Sequence, residues 1–144
     1  MKTTGGRGLH VVVPLKPKRT VAECLAFSRA VGEVIVRADP EAYTTAFAKS
    51  GRNHKILIDY LRNNRTNTSV SAFSPRARPG ATVSMPLDWS ELDDAPERWT
   101  LLTVPLRLDR LRVDPWREYW RSAQALQAAA VAAVARLRLG DGVA

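Results

Sequence analysis

What this sequence of 144 residues lacks bounds it first. It has a single cysteine, Cys24, so no internal disulfide can form and the chain fits a reducing compartment. No run approaches the roughly 20 apolar residues that a membrane span needs. The opening Met1-Lys2-Thr3-Thr4-Gly5-Gly6 has no apolar signal-peptide core, so a cytoplasmic location is expected. Acids are scarce beside bases: 14 Asp and Glu stand against 22 Lys and Arg, a net charge of +8. The resulting pI near 10.4 favours an anionic partner, with nucleic acid the first candidate. Internal repeats and long linkers are absent too. What remains is ordinary for a globular chain: 45% apolar and 25% charged residues, enough for one domain with a real core.

The stretch that organises the rest is Lys55-Ile56-Leu57-Ile58-Asp59-Tyr60-Leu61-Arg62-Asn63. Ile56, Leu57 and Ile58 read as a strand buried on both faces in a mixed α/β core. Tyr60 and Leu61 extend that pattern past Asp59. A carboxylate inside such a run is costly unless a metal ion or a basic partner offsets its desolvation. Arg52, Lys55, Arg62 and Arg65 flank it. A buried acid among bases suggests a site that handles a cation and an anion together, such as a metal with a phosphorylated ligand. The alternative is a strand-end Asp that caps a turn.

Upstream, Gly5-Gly6-Arg7-Gly8 leads into a strand, His10-Val11-Val12-Val13-Pro14-Leu15. Glycine loops can cradle phosphates with backbone N–H groups. This one precedes its strand and lacks a Lys-Ser/Thr ending, so it is neither a dinucleotide fingerprint nor a P-loop. Alone it reads as a turn, with Arg7 and His10 adding charge and a hydrogen-bonding ring. Lys16 to Arg19 is a basic linker. Thr20 and Glu23 make a capping box, and a helix is predicted from there to about Ala38, stopped by Asp39-Pro40. Cys24, Phe27, Val31 and Val34 form its buried stripe, which makes Cys24 a packing residue. A second short helix is predicted between Pro40 and Phe47, then a basic loop from Lys49 to Lys55 carrying Arg52.

Beyond a turn at Asn63-Asn64-Arg65-Thr66-Asn67, a strand is predicted over Thr68 to Phe73. In Ser74-Pro75-Arg76-Ala77-Arg78-Pro79-Gly80 the two arginines are spaced i and i+2, so in an extended segment both can reach one anion. Two solvent-facing arginines are the alternative. A short strand is predicted over Val83 to Pro86, a helical turn over Asp88 to Leu92, and a strand over Trp99 to Val104. Asp114-Pro115-Trp116 starts a last helix predicted to reach about Leu139, with Trp116, Tyr119, Ala123, Leu126, Ala130, Val134 and Leu137 on one stripe. Gly140 stops it, and Gly140 to Ala144 should fray.

Three segments in register, Gly5-Gly6-Arg7-Gly8-Leu9-His10-Val11-Val12-Val13-Pro14-Leu15, Ile58-Asp59-Tyr60-Leu61-Arg62-Asn63 and Ser74-Pro75-Arg76-Ala77-Arg78-Pro79-Gly80, resemble the polymerase domain of bacterial DNA ligase D, of the archaeo-eukaryotic primase superfamily. The later Asp114-Pro115-Trp116 agrees in spacing. The likeness runs to about Gln127, which leaves 128–144 as the end of the last helix and a tail. It implies an α+β fold, a mixed or antiparallel sheet packed with helices, as in the catalytic subdomain of a primase-polymerase, here truncated at the N-terminus. The implied activity is a DNA-repair nucleotidyltransferase of bacterial non-homologous end joining. It would add nucleotides, often ribonucleotides, to DNA ends and gaps with Mn²⁺ or Mg²⁺. The implied partners are gapped duplex DNA, a nucleoside triphosphate, a ligase or Ku, and a separate N-terminal polymerase half.

Carried over by resemblance, Asp59 would be catalytic as the last of three metal-binding carboxylates. His10, Arg52, Arg76 and Arg78 would contact the triphosphate. Thr4 stands where the family usually has Ser, and the hydroxyl survives. The family's first two carboxylates form an Asp-x-Asp motif on a strand before the glycine loop, and no Asp-x-Asp occurs in this sequence. Asp93 and Asp94 are adjacent, not spaced. The chain therefore reads as the C-terminal part of a polymerase domain: a truncated gene, one half of a split enzyme, or a start-site error. A non-catalytic remnant that binds nucleotide or nucleic acid is the alternative.

Overall fold

Hydrogen bonds between near neighbours set the boundaries of most elements. The structure, a computed structural model, describes residues 1–52, 54–92 and 96–140. Among these, the α+β chain forms three α-helices and two two-stranded sheets. They fall into two compact units: Met1–Pro14 with Ser69–Ala123, and Leu15–Thr68 with the chain from Gln124 onward.

The core of the first unit is an extended run from Val83 to Leu87. Val83, Met85 and Leu87 are buried together with Met1, Trp99 and Val104. The run hydrogen-bonds to other segments throughout. Strand β1 (Lys2–Thr3) donates from Thr3 N to Met85 O at 2.9 Å, and Leu87 N donates to Met1 O at 3.1 Å. Phe73 N donates to Ser84 O, Ser84 N to Ser74 O, Arg76 N to Thr82 O and Val83 N to Trp99 O. Strand β2 (Leu9–His10) pairs antiparallel with β1, Lys2 opposite His10 and Thr3 opposite Leu9.

A 3₁₀ turn at Trp89–Glu91 follows, capped reciprocally by Asp88 and Glu91. Helix α2 (Thr103–Arg110) buries Val104. Its Arg107 grips Glu91 with two guanidinium nitrogens and lies 4.6 Å from the centroid of the Trp99 ring. Trp116 Nε1 donates to Met1 O at 2.8 Å and its ring stacks on Tyr119.

The second unit is built on helix α1 (Val21–Ala38), whose capping box at Thr20 and Glu23 is formed as expected. Gly32 is its one buried residue because β3 (Tyr43–Thr44) and β4 (Ile56–Leu57) pack closely there. A Cβ at Gly32 would stand 3.2 Å from Ile58 Cγ2 and 3.4 Å from Thr45 Cγ2. Strands β3 and β4 pair parallel. Helix α3 (Ala128–Leu139) lies against α1, with Arg138 joining Glu33 and Arg37 donating to Arg138 O. Gly140, at φ 97°, ends it.

Several elements differ from the sequence expectation. The segment from Pro40 to Phe47 forms strand β3, not a helix. Residues 11–14 and 68–73 form no strand, and Phe73 has φ 61°. The predicted strand from Trp99 to Val104 instead turns into α2. Thr100 and Thr103 bond each other's backbone N–H groups through their hydroxyls, and this hydroxyl cap outweighs the β-propensity of Thr and Val.

The last helix is shorter than its stripe suggested. Asp114 does cap, accepting from Trp116 N at 2.8 Å, but turns follow, and α3 begins only at Ala128. Gln124 is drawn into extended pairing instead, accepting from Lys16 N at 2.9 Å and bridging Leu15. The expected fraying concerns 141–144, outside the described residues.

Candidate functional site

Within the first unit, the glycine loop and the two arginines come together. The loop closes on itself: Thr4 N donates to Gly8 O at 2.9 Å and Gly6 N to Thr4 Oγ1 at 3.1 Å. Gly5 sits at φ 63°, where a side chain is strained. Its carbonyl accepts from the Thr82 hydroxyl, which pins the loop to the buried run.

Arg76 Nη1 donates to Thr4 O at 2.9 Å and Arg78 Nη1 to Gly5 O at 3.3 Å. Both guanidinium groups reach one loop, though the backbone between them is bent and not extended, Arg78 N donating to Arg76 O at 2.9 Å. Each spends one nitrogen of its fork there, and among the described residues no partner takes the rest. The remaining N–H groups of two such exposed forks are donors suited to phosphate oxygens. His10 stands in the same unit on β2, across from Lys2.

Lys2 was not singled out by sequence reasoning. It is buried, 4% exposed, and its ammonium donates to Ser84 Oγ at 2.8 Å. Burial, and secondarily the charge of Arg76, push it down to about 8. No local pattern marks this: Lys2 and Thr3 are both buried, so the strand alternation that would have flagged an inward lysine is missing.

The second unit carries Asp59 and Arg52, and here the picture of a buried acid is overturned. Strand β4 ends at Leu57. Tyr60 and Leu61 do not continue it, because Leu61–Asn63 is a 3₁₀ turn. Ile56 is 60% exposed and Asp59 is exposed as well. Asp59 caps the turn, accepting from Leu61 N at 3.2 Å through Oδ1 and from Arg62 Nε at 3.0 Å through Oδ2. The basic partner is therefore Arg62, and the turn-capping alternative describes the local geometry. Arg52 folds back on its own loop, donating to Ala46 O at 3.3 Å and Phe47 O at 2.7 Å.

A divalent ion needs several oxygen ligands. Among the described residues, no group of three or more His, Cys, Asp and Glu side chains is arranged to hold one. Both oxygens of Asp59 are already engaged, so these side chains alone do not fit the ion, and no chemical step is derived through it.

Three comparisons bear on this geometry. The family model described as "LigD, primase-polymerase domain" matches residues 1–116. The multifunctional non-homologous end joining protein LigD of Pseudomonas aeruginosa is 38% identical over 145 aligned positions, covering 99% of this chain and 17% of that protein. The bifunctional LigD of Bacillus subtilis is 30% identical over 128 positions, covering 85% of the chain and 20% of the relative. The chain thus spans a fifth or less of the length of these two relatives. No described helix is long and apolar enough to cross a membrane.

Proposed function

Since this chain belongs to the LigD primase-polymerase family, we propose that it is the nucleotide-binding, C-terminal part of a polymerase domain serving non-homologous end joining. The observation that carries the reading is the convergence of Arg76 and Arg78 on the carbonyls of the glycine loop. In this proposal Thr4, His10, Arg52, Arg76 and Arg78 contact the incoming nucleoside triphosphate. Asp59 contributes one carboxylate to a Mn²⁺ or Mg²⁺ site whose other ligands this sequence does not supply. Residues 1–127 constitute the polymerase portion and 128–144 its closing helix and tail. The DNA partner is an end or gapped duplex, held through the positive charge. Ligase and Ku are partners by the same family reasoning.

Chemistry by the 144 residues alone is not part of the proposal. Two-metal phosphoryl transfer needs acids on both sides of an ion pair. The isolated Asp59, bonded to Arg62, favours the second reading: a module that binds nucleotide or nucleic acid without turning it over.

The test has two arms. In titration with a fluorescent ribonucleoside triphosphate, the wild-type chain should bind and the Arg76→Gln/Arg78→Gln variant should lose about tenfold or more, as expected for two charge-assisted bonds. In primer extension on gapped DNA with Mn²⁺ and ribonucleotides, the chain alone should be inactive. It should become active when a separately made portion carrying Asp-x-Asp is added. Wild-type affinity in the double variant would reject the site, and robust extension by the chain alone would reject the ligand count.

A further inference from the structure

We propose that Lys2 is a buried cation behind the glycine loop that takes up a proton from solvent when a polyphosphate occupies the loop. The inference rests on reading that loop, with Arg76 and Arg78, as a triphosphate site, and it assigns Lys2 a positioning role that the proposed function does not use.

The geometry is unusual for a lysine. The side chain normally carries its ammonium to water on a flexible stem, and burying it unpaired is costly. Here Lys2 is 4% exposed and its ammonium donates to the hydroxyl of Ser84, itself 0% exposed. Ser84 Oγ in turn donates to Thr3 O at 2.7 Å. Among the described residues no carboxylate pairs with Lys2.

Ser84 also touches the loop from beneath, since a Cβ on Gly5 would stand 3.2 Å from Ser84 N. One residue therefore joins the ammonium to the turn that bends around the proposed anion. The other charged or titratable groups close by are mostly positive. Arg76 acts on Lys2 directly. His10 lies opposite it in the strand pair. The α-amine of Met1 precedes it, and Asp88 acts on that amine.

The direction of coupling follows from Coulomb's law. With the loop empty, burial and Arg76 hold the Lys2 ammonium near 8, so around that pH a large fraction is neutral. A polyphosphate bound by Arg76 and Arg78 offsets the repulsion from Arg76 and adds an attraction of its own. Both effects raise the proton affinity of Lys2, and by reciprocity the protonated form binds the anion more tightly.

The experiment is calorimetric titration of the 144-residue chain with adenosine triphosphate at about pH 8.5, in buffers of different ionisation enthalpy. At that pH an imidazole and the terminal phosphate of the nucleotide have finished titrating. The Met1 amine is lowered below its ordinary value chiefly by burial, and its share of any uptake persists in a Lys2 variant. A fraction of a proton should be taken up per ligand bound, and affinity should fall roughly fivefold between about pH 7.5 and 9.5 if the ligand raises Lys2 by about one pH unit.

Lys2→Met, which keeps the buried volume, should remove most of the uptake and of the pH dependence while binding through the arginines persists. NMR of lysine Cε in the wild-type chain reads the same group without a variant. One lysine should titrate near 8 without ligand and move upward with it. Triphosphate binding with no proton uptake and an unmoved lysine midpoint overturns this inference and leaves the nucleotide site standing. No triphosphate binding at any pH removes both.

Discussion

A Cβ placed on Gly5 would lie 2.6 Å from Cγ of Arg76. The glycine is needed twice, for its φ of 63° and for the space that the arginine stem fills. Gly5→Ala should therefore cost about 1–3 kcal/mol and push Arg76 off Thr4 O, weakening triphosphate binding together with stability. At Gly8 the nearest atom to an added Cβ is Thr4 Cγ2 at 3.7 Å, an ordinary contact. Gly8→Ala should change either quantity little. Urea unfolding and nucleotide titration of the two variants side by side make the comparison. Equal effects at the two positions would contradict the packing argument.

The ion pair of Asp59 with Arg62 is exposed, the side chains being 31% and 49% accessible. Such pairs contribute about 0–1 kcal/mol, and Asn can still accept from Leu61 N. Asp59→Asn should leave the unfolding free energy within about 1 kcal/mol of wild type. In primer extension complemented with the Asp-x-Asp portion, the same variant should lose activity. A variant that is destabilised by more than that yet extends normally while folded would assign Asp59 a purely structural role.

With a net charge of +8, the chain should bind duplex DNA weakly and without sequence preference, by releasing condensed counterions. Affinity should fall by about tenfold or more between roughly 50 and 200 mM salt. Fluorescence anisotropy at several salt concentrations gives the slope. A flat response would mean that the positive charge serves something other than nucleic acid.

Glu23 titrates far below its ordinary value, at about 2, held there first by the backbone N–H of Thr20, then by Arg19 and the Thr20 hydroxyl. A lowered carboxylate stabilises the fold above the ordinary value of 4.5, and that contribution is lost as pH falls toward about 2. Thermal unfolding followed by helix circular dichroism should show the melting temperature dropping across that window. In Glu23→Gln the drop should be smaller. An identical pH profile would show that the capping box is not what the acid loosens.

The sequence by itself determined the features that depend on residues a few positions apart. The capping box of Thr20 and Glu23 starts α1. Asp88 with Glu91 makes its turn, Asp114 caps the chain at Trp116, and Gly140 ends α3. Each is a hydrogen bond or a backbone angle that neighbouring side chains settle among themselves. The pairing of Arg76 and Arg78 was legible only in part: both reach the glycine loop, but through a bend closed by Arg78 N donating to Arg76 O and not through the extended backbone expected.

The tertiary structure decided what depends on distant partners. Thr3 and Met85 pair across 82 positions, and nothing local tells Lys2 that Ser84 will bury it. Asp59 read as a buried acid because three apolar residues precede it. Yet β4 finds a partner only at Tyr43 and Thr44, so the strand stops short and the carboxylate turns to Arg62. The stripe from Trp116 to Leu137 is broken for the same reason. Lys16 takes the Gln124 carbonyl and Trp116 reaches Met1 O, and bonds made across the chain outweigh the helical preference of the residues between them.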